Sequence, residues 1–161
     1  MQAFGLARQL GIDRRTAQQY IDQYFDRYAG VRTYIDQTQA EARRVGYVTT
    51  LLGRRRHLPD LMSKNFQARS IAERMAVNTP IQGTAADIIK LAMLSVRRAM
   101  DQAGFEARMV LQVHDELVFE VPDREVPALT DLVRREMSGV FQLSVPLIVD
   151  VSHGNNWAEA H

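Results

Sequence analysis

Two carboxylates and a histidine sit inside one of the most apolar stretches of the chain, Leu111-Gln112-Val113-His114-Asp115-Glu116-Leu117-Val118-Phe119. Strand-forming residues on both sides make His114, Asp115 and Glu116 the tip of a hairpin, and an acidic tip between hydrophobic strands needs water or a ligand around it. Hard divalent cations bind carboxylate oxygens, and Mg²⁺ commonly takes one or two protein carboxylates while substrate phosphates and water complete its shell. Turn chemistry competes with this reading, since Asp favours tight turns and Glu is readily solvated. Spacing alone favours the turn, because adjacent strand residues point to opposite faces and split the pair as a metal site.

Two further groups of side chains could engage a polyanion. Arg74, Asn78 and Gln82 are spaced i, i+4 and i+8. On a helix they share a face, where a cation and two amides can hydrogen-bond to nucleobase edges and to minor-groove acceptors. An ordinary solvated helix face has the same pattern. Arg54, Arg55 and Arg56 are consecutive, with His57 beside them, Arg43 and Arg44 upstream, and Lys64 and Arg69 downstream. Three adjacent arginines repel one another without an anion nearby, so phosphate binding and a solvated turn stand even.

The elements that must carry these residues can be read from punctuation and periodicity. A short helix from residue 4 ends at Gly11-Ile12-Asp13. Asp13 caps the next, whose apolar stripe is Ala17, Tyr20, Ile21, Tyr24 and Phe25. Ala29-Gly30 stops it, and a third helix runs from Val31 to Arg44 and ends at Gly46. Residues 46–51 and 56–58 form a short hairpin with a basic tip. Residues 65–79 are helical and are expected to stop before Pro80, because a pre-proline residue avoids the α region. A new helix is expected from Gly83-Thr84 to Ala103, with Thr84 capping, Asp87 favouring its N-terminal dipole, and Ile88, Leu91, Ala92, Leu94 and Ala99 inward. Gly104 caps its end. Strands Met109–Val113 and Leu117–Val121 flank the acidic tip, a helix spans 122–140, and Leu147–Val151 reads as a last strand. The fold class is α+β, with an antiparallel sheet covered by helices on one face.

Composition narrows the chemistry further. At 161 residues, 46% hydrophobic and 24% charged, the chain is an ordinary globular sequence of one domain or two small lobes. With no cysteine, it has no disulfides, thiolate metal sites or thiol nucleophile. It also lacks a P-loop, a G-x-S-x-G elbow and an H-E-x-x-H motif. No apolar run is long enough to span a membrane and no signal peptide opens the chain, so a soluble cytoplasmic protein is expected. The net charge of +1 hides an asymmetry: residues 1–75 carry 13 basic against 7 acidic side chains, and residues 76–161 carry 7 against 12. Arg outnumbers Lys 18 to 2, which suits phosphate forks.

Taken together, these segments resemble the family A DNA polymerases, the bacterial DNA polymerase I group, over essentially the whole chain. Residues 112–118, Gln-Val-His-Asp-Glu-Leu-Val, resemble the third polymerase motif of that family. Residues 72–87, Ala-Glu-Arg-Met-Ala-Val-Asn-Thr-Pro-Ile-Gln-Gly-Thr-Ala-Ala-Asp, resemble the helix and turn before it. Residues 46–56 resemble the basic hairpin between fingers and palm, and Phe4-Gly5-Leu6-Ala7 and the closing residues 156–161 fit as well. The resemblance implies template-directed DNA synthesis in bacterial replication and repair, the transfer of a dNTP nucleotidyl group to a primer 3′-hydroxyl. Asp115 matches the aspartate that holds two Mg²⁺ ions. Glu116 and His114 match supporting neighbours, with Glu116 as a second metal-site carboxylate. Arg74, Asn78 and Gln82 match residues contacting primer–template, and Arg54–Arg56 are placed near the DNA backbone.

The resemblance also implies that the first metal-binding aspartate motif and the nucleotide-binding fingers helix lie upstream of these residues. The chain is therefore expected to be the end of the fingers, residues 1–60, and the C-terminal part of the palm, residues 61–161, and to need the N-terminal part of the polymerase as a partner. Apolar palm surface left uncovered predicts self-association. The alternatives are a non-catalytic fragment that holds duplex DNA, and an α+β scaffold whose acidic tip is only a turn.

Overall fold

The computed structural model describes residues 3–160. Asp13 accepts hydrogen bonds from the amides of Arg15 (2.9 Å) and Thr16 (3.0 Å), so helix α1 (Ala3–Leu10) ends and α2 (Arg14–Arg27) begins where the sequence punctuation falls. The stripe on α2 is only partly inward. Ala17 is fully buried and Ile21 and Phe25 are half-buried, whereas the rings of Tyr20 and Tyr24 remain about half exposed. Helix α3 (Ala29–Val45) ends on Gly46, whose φ of 81° is the left-handed C-cap that glycine adopts at little cost. Strands β1 (Tyr47–Thr49) and β2 (Arg55–His57) then pair antiparallel in the register Tyr47↔His57, Val48↔Arg56, Thr49↔Arg55. A 3-10 turn (Pro59–Met62) leads to α4 (Phe66–Ala103).

The chain divides into two compact units: residues 1–49 with 54–80, and residues 50–53 with 81–161. In the first, Ala42 of α3, Val48 of β1, Leu58, Leu61, and Ala72 and Ala76 of α4 form one buried cluster. The Tyr34 hydroxyl donates to the Val77 carbonyl (2.9 Å), and burial pushes that phenol above the ordinary tyrosine range. In the second, Val96 and Met100 of α4, Ala107, and Leu129, Leu132 and Val133 of α5 (Val126–Ser138) form the core. Met109 of β3 (Arg108–Val113) and Phe119 of β4 (Glu116–Glu120) pack onto it, so helices do cover one face of this antiparallel hairpin. The α+β class stands.

Several local expectations are corrected. Ala29-Gly30 does not stop α2, which ends at Arg27; both residues lie in the first turn of α3. Helix α4 does not stop before Pro80 but runs as one 38-residue helix through it. Proline removes one amide donor and crowds the preceding turn, yet Ala72, Ala76 and Thr79 before it and Thr84 and Ala92 after it are all buried in their own units. Packing on each side outweighs the local penalty. Thr84 is consequently not a cap: it lies inside the helix, and its hydroxyl accepts from the amide of Leu51 (3.0 Å). Leu94 is 54% exposed, because the inward row is Ala92, Val96 and Met100 at i, i+4, i+8, and Leu94 lies about 200° around the helix from Ala92. Lastly, residues 147–151 form no strand. Ile148 is 82% exposed, and the segment has no hydrogen-bonded neighbour strand among the described residues. The helix expected over 122–140 is trimmed to α5, after a 3-10 turn at Asp123–Glu125.

Candidate functional site

The acidic tip is built by β3 and β4. Their register runs Arg108↔Glu120, Met109↔Phe119, Leu111↔Val118, Gln112↔Leu117 and Val113↔Glu116, with a bulge between Met109 and Leu111. Val110 is the extra residue, and it breaks the period-2 alternation. Directly paired residues share a face and neighbours alternate, so the bulge places Gln112 and Leu117 on the face of Met109 and Phe119, while Leu111 and Val118 lie on the other. The ladder closes on Val113↔Glu116, leaving His114 and Asp115 as the two turn residues. His114 has φ of 53°, and it is the one non-glycine residue with positive φ among those described. In a two-residue hairpin this position is usually glycine or asparagine, and a residue with a Cβ held there stores roughly 1–2 kcal/mol of strain. The Gln112 side-chain amide donates to the His114 carbonyl across the turn.

His114, Asp115 and Glu116 are all exposed. Asp115 lies in the turn and Glu116 in the first ladder pair, so the tip offers hard oxygen donors from two different backbone settings. Among the described residues no three His, Cys, Asp or Glu side chains cluster closely enough to hold a metal ion. The donor set is therefore one or two carboxylates. That fits a cation such as Mg²⁺, which leaves most of its octahedron to water and phosphate oxygens.

The basic hairpin distributes its charge. Arg54, Arg55 and Arg56 are exposed. The Arg55 guanidinium lies 4.7 Å from the centroid of the Tyr47 ring, and Arg56 Nη1 donates to Thr79 Oγ1 of α4 at 3.3 Å. Gly53, with φ of 84°, supplies the left-handed residue of this turn. Tyr47 and Thr79 are supports that the sequence pattern alone did not single out. The aromatic residue facing an arginine run was the available signal for Tyr47, and Thr79 had none. Arg74 and Asn78 are both exposed on α4 in the first unit; Gln82, also exposed on α4, belongs to the second unit together with His114, Asp115 and Glu116.

The second unit thus carries an exposed acidic turn on a helix-backed hairpin, and the first carries exposed arginines on a short hairpin. Residues 1–159 match the sequence profile of DNA polymerase family A, and the chain belongs to that family. Among its relatives are DNA polymerase I of Pseudomonas aeruginosa, 52% identical over all of this chain, and DNA polymerase I of Streptococcus pneumoniae, 51% identical over 98% of it. This chain spans 18% of the length of each. The fold is shared with the POL domain of Pol1 from M. smegmatis, a structure in complex with DNA primer-template and dNTP. The TM-score is 0.96 and the identity 51%, over 99% of this chain and 28% of that one. No helix among the described residues is long and apolar enough to cross a membrane.

Proposed function

We propose that this chain contributes to template-directed DNA synthesis, the transfer of a nucleotidyl group from a dNTP to a primer 3′-hydroxyl, in bacterial replication and repair in the cytoplasm. The observation that carries the reading is the exposed, strained turn at His114-Asp115, within a hairpin whose whole chain matches DNA polymerase relatives. Asp115 is the metal ligand, Glu116 the second carboxylate of the metal site, and His114 supports the primer end. Bound Mg²⁺ would neutralise charge on the attacked phosphate and favour ionisation of the primer hydroxyl.

The chain's own groups hold and orient the DNA. Arg74, Asn78 and Gln82 meet minor-groove acceptors, which are nearly independent of base-pair identity, so pair geometry is sensed without reading sequence. Arg54, Arg55 and Arg56 meet phosphates, with Tyr47 and Thr79 keeping two of the guanidinium groups in place. The remaining donors to the metals and to the dNTP come from the N-terminal part of the polymerase, the partner that this reading requires. Exposed Val110, Leu111, Val145 and Ile148 support self-association when that partner is absent. Sedimentation of the chain alone would then depend on concentration, and a sharp monomer at all concentrations would overturn that part.

The test is Mg²⁺-dependent extension of a labelled primer–template by the chain mixed with a separately made upstream part of the P. aeruginosa relative. Extension in the mixture is expected to fall roughly 1,000-fold with Asp115→Ala, several kcal/mol of transition-state stabilisation. An Asp115→Ala mixture that extends normally overturns the reading. The exposed arginine hairpin favours a second reading, a non-catalytic duplex binder. On that reading the chain binds duplex with steep salt dependence, is indifferent to Asp115→Ala, and gives no extension in the mixture.

A further inference from the structure

We propose that Gln112 is a positioning residue for Asp115: by holding the His114 carbonyl, its amide selects one of the two peptide orientations open to the tip. The inference rests on the reading of Asp115 as metal ligand, and it adds a residue whose side-chain amide hydrogen-bonds within the hairpin.

A two-residue hairpin turn has two common forms. Both have positive φ at the first turn residue, and they differ at the second, which is positive in one form and negative in the other. Interconversion is a flip of the central peptide, the one whose carbonyl belongs to the first turn residue. In this hairpin that carbonyl is His114's. His114 has φ of 53° and Asp115 is not among the positive-φ residues, so one of the two forms is selected. That form usually has glycine at its first position, and His114 has no comparable preference for it. The two turn residues pull in opposite senses, since positive φ at Asp115 would strain its own Cβ while the form adopted favours glycine where His114 stands, so a group outside the turn can decide the flip.

Gln112 is that group. It lies one ladder pair below the closing pair, opposite Leu117, and its Nε2 donates to the His114 carbonyl oxygen. A peptide flip would swing this oxygen to the other side of the turn and break the bond. The φ of Asp115, and with it the direction in which its carboxylate leaves the backbone, is thereby coupled to an amide three residues earlier. The ladder pairing with Leu117 fixes the face on which Gln112 stands. Gln112 is exposed and belongs to neither buried cluster, so losing its side chain removes a bias on the turn rather than support for the core.

Two variants test this. Gln112→Met keeps the length and removes the donor, and Gln112→Glu keeps the shape but offers only acceptors at neutral pH. Thermal midpoints of both should stay close to that of the parent chain. In isotope-labelled chain, the intraresidue amide-to-Hα cross-peak of Asp115 should be weak in the parent and strong in both variants, because positive φ brings those protons together. In the reconstituted extension assay, kcat should fall roughly 10–100-fold while primer–template affinity is retained, the usual cost of losing a group that orients a metal ligand. An unchanged cross-peak or an unchanged kcat in both variants overturns the proposal. Asp115→Ala, run in parallel, separates the two readings. If it extends normally the metal-ligand role is lost, whereas a sensitive Asp115 with indifferent Gln112 variants removes only the positioning role.

Discussion

The two hairpins of this chain solve the same turn problem in opposite ways. In β1–β2 the left-handed residue is Gly53, and a Cβ built there meets nothing within 4 Å, so the constraint is conformational only. Its arginines are spread over separate supports, Tyr47 and Thr79. In β3–β4 the left-handed residue is His114, directly before the two carboxylates, and a side-chain amide holds the strained peptide. One turn is relaxed where it carries basic groups, and the other is strained where it carries acidic ones. A surface that meets phosphates by charge tolerates some freedom, because counterion release does not depend on fine geometry. A carboxylate that must meet a metal in a fixed octahedron does not.

The largest effects should come from the cores beneath the hairpins. Leu61→Ala and Leu132→Ala should each cost about 2–5 kcal/mol in denaturant unfolding. Leu61→Ala should loosen amide-exchange protection in β1 and β2 and Leu132→Ala in β3 and β4, since each lies in the cluster of its own unit. Equal loss of protection in both hairpins from either variant would erase the comparison.

Replacing Arg54, Arg55 and Arg56 together by alanine should weaken duplex binding and reduce the slope of log K against log salt by roughly 0.9 for each phosphate that is no longer neutralised. Fluorescence anisotropy across a salt series measures this, and an unchanged slope would remove the hairpin from the interface. The turns themselves should respond in opposite senses. Gly53→Ala should destabilise by about 1 kcal/mol, while His114→Gly should be neutral or stabilising by up to about 1 kcal/mol as the strain is released. Calorimetry that found both destabilising would argue against stored strain at His114.

The smallest effect concerns acid. Glu136 on α5 is held below the ordinary carboxylate value of 4.5, chiefly by the Ser95 hydroxyl at 2.7 Å, with burial opposing and Arg135 assisting. A depressed folded pKa means this stabilisation is present above pH 4.5 and is lost as the pH falls through the folded value. Glu41 on α3 is lowered as well, by Arg44, but that pair is largely solvent-exposed and should contribute little. Urea midpoints measured from pH 6 to 3 should therefore flatten with Glu136→Gln and hardly change with Glu41→Gln.

Much of this was legible in the residues. Asp13, Gly46 and Gly104 mark ends that local chemistry alone decides, and all three perform those roles. The acidic tip and the basic hairpin were found at their positions because alternation and turn residues are local signals as well. What escaped was set at a distance or by exception. Pro80 reads as a stop until the packing on both of its flanks is known. Residues 147–151 alternate like a strand, but pairing needs a neighbour that periodicity cannot supply. The positive φ of His114 leaves no trace in composition, since glycine is its usual marker. Gln112 looked like one polar residue in a strand, and only the register shows that its amide reaches the turn.

The bulge at Val110 also makes the spacing of this strand unequally tolerant of insertions and deletions. Removing Val110 would leave Met109 next to Leu111 and restore a regular ladder, with every downstream residue still opposite its present partner. Removing or adding a residue anywhere from Leu111 to Val113 would shift the phase by one and turn Gln112, or whatever then preceded the turn, to the wrong face. Within one short strand, then, position 110 can change length by one residue, while the stretch immediately after it has its residue count fixed by the turn it feeds.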